Sequence, residues 1–116
     1  YSVVYDTAGH VFERFEAQKF GRDEADRDVE RVLNCELLIL DDLGTELTTA
    51  LVQSALYQIL NSRLLEKRST IVSTNLMPEA IGQRYSPQIA SRIEGEYQLL
   101  PFVGEDIRTL KKKRGL

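Results

Sequence analysis

Apolar and polar positions along the chain follow two periods that alternate. Residues 2–5 are short, β-branched and apolar, and they stop at Asp6-Thr7. Either residue can cap a helix by accepting a hydrogen bond from a free N–H of its first turn. Ala8, Phe12 and Phe15 then recur at helical spacing to about Lys19, and after a break at Phe20-Gly21 the spacing returns in Ala25, Val29, Val32 and Leu33. This predicts two amphipathic helices. Residues 36–40 bring the uninterrupted run Leu37-Leu38-Ile39-Leu40, the pattern of a parallel strand covered on both faces, and it ends in the adjacent acids Asp41 and Asp42. Leu47, Leu51, Ala55, Leu56, Ile59, Leu60 and Leu64 mark a long helix. Thr48 or Thr49 stands near its start, and Lys67 and Arg68 near its end, where cations complement the helix dipole. Residues 69–73 form another β-branched strand closing at Thr74-Asn75, so these three elements make a βαβ unit with a right-handed crossover.

Pro78 suits the first turn of a short helix to about Tyr85, Ser86-Pro87 caps and starts another through Ile93, and residues 97–103 read as a last strand. The order β-α-α-β-α-β-α-α-β predicts an α/β fold of three layers, α/β/α, around a mostly parallel sheet. No repeat or Pro/Gly/Ser-rich linker divides it.

At 116 residues the chain has the length of one domain, and 42% hydrophobic with 28% charged residues excludes a disordered or collagen-like polypeptide. No apolar run approaches the roughly 18 residues of a membrane span, and the N-terminus lacks the pattern of a signal peptide. A cytoplasmic protein without membrane contact is expected. The single cysteine, Cys35, cannot make an internal disulfide, so it is expected as a small buried hydrophobe beside a strand, and redox and zinc chemistry drop out. Fifteen Lys and Arg against eighteen Asp and Glu leave a net charge of −3, so any contact with nucleic acid must be local. The basic cluster Lys111, Lys112, Lys113 and Arg114 reads as a short solvated tail over residues 111–116.

Ligands of open parallel sheets sit outside the carboxyl ends of the strands, where this chain places Asp41-Asp42 and Thr74-Asn75. The string LLILDD resembles a Walker B motif, in which an apolar strand holds a carboxylate beside the magnesium of a nucleotide. Taken alone such a string is common. The second acid and the polar pair at the next strand end strengthen it. The phospho-acceptor pocket of a receiver domain also carries paired aspartates, but it needs a further Asp after a later strand and a Lys after the last. Here those places hold Asn75 and Gly104-Glu105-Asp106.

Taken together, LLILDDLGTE (37–46), STNL (73–76), Ser91-Arg92-Ile93 and GEDIR (104–108) resemble, in order and spacing, the C-terminal part of an AAA+ ATPase core. The DDLG and TN forms are most similar to the bacterial helicase-loader group, the DnaC, DnaI and IstB relatives. The resemblance spans the whole chain, as a single partial AAA+ domain (residues 1–116) from the second core strand to the last. It implies that Asp41 holds Mg2+ through water, that Asp42 orients and polarises the attacking water, a task more often given to Glu, and that Asn75 is sensor 1. For Asn75 the plain role is a turn cap after the strand. Arg92 matches the arginine finger that reaches the nucleotide of a neighbouring subunit, with Arg84 the alternate and a surface ion pair the plain role of either. Arg108 matches a sensor 2-like contact to the nucleotide of its own subunit.

The same resemblance implies ATP and Mg2+ as cofactors, a homo-oligomer through the finger interface, and single-stranded DNA and a replicative DNA helicase as partners. The implied function is delivery of that helicase onto DNA under ATP control. The alternative in the same family is the ATP-dependent helper of a transposase. The alternative in another class is a non-catalytic DNA or helicase interaction module. Where residues 12–20 lie, this group inserts a helical element that lines a channel for single-stranded DNA. Phe12, Phe15 and Phe20 could therefore stack on bases while Lys19 and Arg22 meet phosphates, although phenylalanines at helical spacing ordinarily form core. Glu46 is expected to cap the following helix, and His10, without an evident partner, is expected to be exposed.

GxxxxGKS or GxxxxGKT occurs nowhere, because none of the seven glycines is followed by Lys-Ser or Lys-Thr. That loop supplies the backbone N–H groups and the lysine that cradle the phosphates. With no initiator Met and an opening on strand residues, a fragment is expected, its phosphate loop about 25 to 35 residues before Tyr1, and the fragment alone inactive as an ATPase. In this fold the loop's strand is central, so either residues 97–103 shift to pair with residues 69–73 or another chain covers the exposed edges.

Overall fold

Capping chemistry starts three of the helices where the sequence places them. Thr7 Oγ1 accepts from the His10 N–H, Thr49 Oγ1 from the Val52 N–H, and Ser86 Oγ from the Ile89 N–H. Each bond satisfies one orphan donor of a first turn and contributes about 1 kcal/mol. The computed structural model describes residues 1–98 and residue 100. The elements run β1 (Val3–Thr7), α1 (Ala8–Lys19), α2 (Asp23–Asn34), β2 (Leu37–Leu43), α3 (Ala50–Leu65), β3 (Ser69–Thr74), α4 (Pro78–Arg84) and α5 (Pro87–Glu96).

Two boundaries differ from the sequence reading. Because Thr49 takes the cap, α3 begins at Ala50, and Leu47 is left exposed in the loop before it. β2 does not stop at Leu40: Asp41 still pairs with Thr7 of β1, and the strand reaches Leu43 across a bulge in its ladder to β3 between Leu40 and Leu43. Both acids therefore belong to the strand end itself.

The three strands form one parallel sheet in the order β1-β2-β3. Side chains alternate across the sheet, so the register sets Val4, Leu38 and Thr70, then Asp6, Leu40 and Val72, on one face. Leu38 and Leu40 join a core with Val11, Phe12 and Phe15 of α1, Val29 and Val32 of α2, and Leu56, Ile59 and Leu60 of α3. Full burial of each such large side chain contributes about 1.5–3 kcal/mol, so this face holds the fold. Ile81, Tyr85, Ile89 and Ile93 bring α4 and α5 into the same core.

The register places Val3 and Leu37, then Tyr5, Ile39 and Ile71, on the opposite face. Val3, Tyr5 and Ile71 are exposed there and Leu37 and Ile39 half-buried. Of the three layers expected, the described residues form the sheet and the helical layer on one face. Of the last strand expected over residues 97–103, Tyr97, Gln98 and Leu100 are described and lie outside the sheet. The remainder of that strand, Arg108 and the tail over residues 111–116 lie outside the described residues. Among the described residues no helix is long and apolar enough to cross a membrane.

At the start of β3 a buried cation ties three elements together. Arg63 of α3 is fully buried, its Nε donating to Thr70 Oγ1 at 2.7 Å, Nη1 to the carbonyls of Val32 and Leu33 at 2.9 and 3.2 Å, and Nη2 to the Ser69 carbonyl at 2.7 Å. The carbonyls of Val32 and Leu33 belong to the last turn of α2, the negative end of its dipole, so peptide oxygens stabilise the charge without a carboxylate. Cys35 is buried beside them, its thiol donating to the Leu37 carbonyl at 3.3 Å.

Candidate functional site

Polar groups converge where β2 and β3 end. The Asp41 carboxylate is gripped on both oxygens: Oδ1 accepts from the Ser73 hydroxyl, and Oδ2 accepts from the Tyr5 hydroxyl at 3.0 Å. Tyr5 reaches it because Thr7 stands opposite Asp41, which puts Tyr5 two residues back on the same face of the sheet. These bonds, Ser73 first and Tyr5 second, hold the Asp41 carboxyl below the usual carboxylate range. The same contact raises the Tyr5 phenol above its ordinary value. Asp41 is therefore ionised at neutral pH and fixed in orientation.

Asp42 lies in the left-handed region with φ 56°, at the bulge, and is exposed. Few non-glycine residues adopt that region, and Asp is among those enriched there because a short polar side chain can bond locally. This gives a physical reason for Asp at a position where Glu is commoner. The Asp42 N–H donates to Ser73 Oγ at 3.0 Å, and the Asp42 carbonyl accepts from Thr45 Oγ1 at 3.1 Å. Ser73 thus joins both acids to β3.

The next strand end is locked against the same turn. Thr74 Oγ1 donates to the Leu43 carbonyl at 2.5 Å and accepts from the Leu76 N–H at 3.0 Å. Gly44, at φ 108°, packs so closely on Leu76 that a Cβ would lie 2.8 Å from its Cδ1. Asn75 follows Thr74, exposed at the same strand end as the acids. Among the described residues no hydrogen bond joins its amide to either acid.

The other sequence candidates separate. Arg92, half-exposed on α5, lines an open groove with Tyr57 of α3, Pro87 and Ser91, which neither acid lines. Arg84 is instead held at the sheet mouth: its Nη2 donates to the Glu46 carbonyl and lies 3.6 Å from Glu46 Oε2. Glu46 does not cap α3, since Thr49 does. It accepts from the Gly44 N–H at 3.0 Å and from the Tyr85 hydroxyl at 2.6 Å.

Phe12 and Phe15 are corrected: both rings are buried in the core between α1 and its neighbours, where no base can reach them. Lys19 and Arg22 are exposed at the turn between α1 and α2, and the ring beside them, Phe20, is 74% exposed. His10 is corrected as well. Its Nδ1 lies 2.5 Å from Asp6 Oδ2 and its Nε2 accepts from Arg14 Nη2 at 3.1 Å, partners four residues away on either side.

Tyr5 and Ser73 are the partners of Asp41 that sequence reasoning missed. Pairing the expected strand ends would have found Tyr5, because a parallel register puts residues of like parity on one face. Among the described residues, the groups at the mouth that could ligate a metal are oxygens, chiefly those of the Asp41 and Asp42 carboxylates. Among the described residues no three His, Cys, Asp or Glu side chains converge as a metal cage. An ionised carboxylate beside an open polar face suits Mg2+, which takes one or two carboxylates and completes its shell with water and phosphate oxygens.

A family model described as "IstB-like ATP binding protein" matches residues 1–93. Among solved structures, the DnaC helicase loader is similar over 85% of this chain and 59% of that one, with a TM-score of 0.72 and 21% identity. AMPPCP-bound DnaA from Aquifex aeolicus is similar over 100% of this chain and 38% of that one, with a TM-score of 0.69 and 23% identity. The replication initiator DnaA bound to AMPPCP and single-stranded DNA gives 100%, 37%, 0.74 and 22% for the same four quantities. These likenesses establish the fold, that of an AAA+ P-loop domain. The chain spans 59% or less of the length of these structures. No curated protein matches it in sequence.

Proposed function

The chain belongs to the family of IstB-like ATP binding proteins, and on that premise we propose that it carries the carboxylate half of an ATP-hydrolysing site in a DNA replication protein. The observation that carries the reading is the Asp41 carboxylate, ionised and gripped by Ser73 and Tyr5 at the mouth of a parallel sheet, with Asp42 next to it in the left-handed region. The phosphate cradle would come from sequence outside the 116 residues, since GxxxxGKS/T is absent from them.

In this reading Asp41 meets the metal through water. Mg2+, when bound, neutralises charge on phosphate oxygens. Asp42, free of the grip that fixes Asp41, accepts a hydrogen bond from the attacking water and orients it. Asn75 bonds the terminal phosphate or that water through its amide. Arg92 acts across a subunit contact on charge spread over the equatorial oxygens, so hydrolysis requires assembly into a homo-oligomer. Arg84 is already held by Glu46, which favours Arg92 as the finger. Arg108 is proposed as a contact to the nucleotide of its own subunit.

The cellular role proposed is delivery of a replicative helicase onto single-stranded DNA in the cytoplasm. The exposed Phe20 ring, flanked by Lys19 and Arg22 at the α1–α2 turn, offers base stacking with phosphate contacts. A second reading, the ATP-binding helper of a transposase, rests on the match to the IstB-like model over residues 1–93.

The test mixes two inactive forms of the full-length protein, Arg92→Ala and Asp42→Asn. Hybrid contacts that pair an intact finger with an intact acid should restore part of the ATP hydrolysis. No recovery at any mixing ratio would exclude a finger acting between subunits.

A further inference from the structure

A second buried charge lies behind the acid turn, and the proposed chemistry does not use it. The Glu46 side chain is 8% exposed. One carboxylate oxygen accepts from the Gly44 N–H, two residues after Asp42, and the other accepts from the hydroxyl of Tyr85. Tyr85 is 39 residues from Glu46 in sequence and stands at the corner where α4 ends and α5 begins, immediately before the Ser86 cap. Arg84 closes the cluster from the same corner through the Glu46 carbonyl and carboxylate. One carboxylate therefore spans the turn that holds Asp42 and the corner that launches the helix carrying Arg92.

A buried charge is a costly way to join two segments, because desolvation takes back much of the attraction, and apolar side chains of similar volume often hold a core equally well. What a hydrogen-bonded carboxylate adds is geometry. Its two oxygens fix the Gly44 backbone and the Tyr85 hydroxyl at set distances, and Thr45 carries the constraint back to the Asp42 carbonyl. The phenol of Tyr85 is raised well above its ordinary value, by burial first and by the bond to Glu46 second, so it stays a donor at every working pH.

We propose that Glu46 is a positioning residue that couples the Asp42 turn to the α4–α5 corner through Tyr85, so that α5, seated at a subunit contact, sets where Asp42 stands. The inference rests on the ATPase reading given above. Misplacing a reacting group by about 1 Å from a distance can cost about 100-fold in rate.

The test compares ATP hydrolysis by the full-length protein with that of Glu46→Gln, Tyr85→Phe, the double variant and Asp42→Asn, with circular dichroism to confirm folding. Tyr85→Phe removes one oxygen only and keeps the proposal testable if Glu46→Gln does not fold. The coupling predicts a kcat reduced about 100-fold in each single variant, an unchanged KM for ATP, and a double variant no slower than the singles. Unchanged kcat with a lower melting temperature, or multiplicative losses in the double variant, would overturn it. If Asp42→Asn hydrolyses ATP as fast as the parent, the ATPase reading fails and takes this inference with it. If Asp42→Asn is inactive while Glu46→Gln and Tyr85→Phe are normal, only the coupling fails.

Discussion

Arg63 and Asp42 sit at opposite ends of the sheet, one where β3 begins and the other where β2 finishes, and their surroundings are opposite too. Arg63 is fully buried, and among the described residues its hydrogen-bond partners are neutral oxygens and the Cys35 sulfur. Asp42 is exposed, its backbone is in a region that few side chains adopt, and no hydrogen bond reaches its carboxylate among the described residues. A polar group satisfied on all sides serves the fold, whereas one held by its backbone with its charged end open is available to a ligand. Glu46 stands between the two types, its side chain buried like that of Arg63 but bonded to the acid turn.

The strongest way to break this contrast is at the closed end. Arg63→Ala leaves a cavity and several carbonyls without donors, and it should cost about 3 kcal/mol or more in a denaturant titration. A loss under about 1 kcal/mol would show that peptide oxygens around Arg63 find other partners. At the α1–α2 turn the reverse is expected. Phe20→Ser should leave stability within about 0.5 kcal/mol. The same substitution should weaken single-stranded DNA binding about tenfold, since stacking contributes about 1–3 kcal/mol per base. Binding that is unchanged in Phe20→Ser would remove DNA from that turn.

The smallest expected effect concerns pH. The Asp41 carboxyl is held below its ordinary range, so its interactions contribute stability above the unfolded value and lose it as pH falls through the lowered one. Tyr5→Phe deletes one of the two grips and should raise the Asp41 titration followed by NMR. The stability difference between the two proteins should persist at neutral pH and vanish in strong acid. An Asp41 titration identical in both proteins would show that the Tyr5 contact does not form in solution.

Much of the scaffold was legible because its signals are local. The caps Thr7, Thr49 and Ser86 stand next to the helices they start, and the apolar run ending in Asp41-Asp42 marks a strand by itself. The site was legible only in part. Asp41 and Asn75 announce themselves at strand ends, but Tyr5 and Ser73 lie 36 and 32 residues from Asp41, and Arg84 and Tyr85 lie 38 and 39 from Glu46. Such pairs are set by register and packing, which residue spacing does not carry. Phe12 and Phe20 make the same point: one ring is turned into the core and the other into solvent by their positions on α1 and beyond its end, although both are aromatic and close in sequence.

The most direct measurement is steady-state ATP hydrolysis by full-length Asp42→Asn beside the parent, with thermal unfolding recorded for both. Asn adopts the left-handed region as readily as Asp, so the substitution removes the charge and keeps the turn. The account predicts the same melting temperature, retained nucleotide binding, and hydrolysis reduced by about 100-fold or more. Hydrolysis at the parent's rate in a folded Asp42→Asn protein would contradict it.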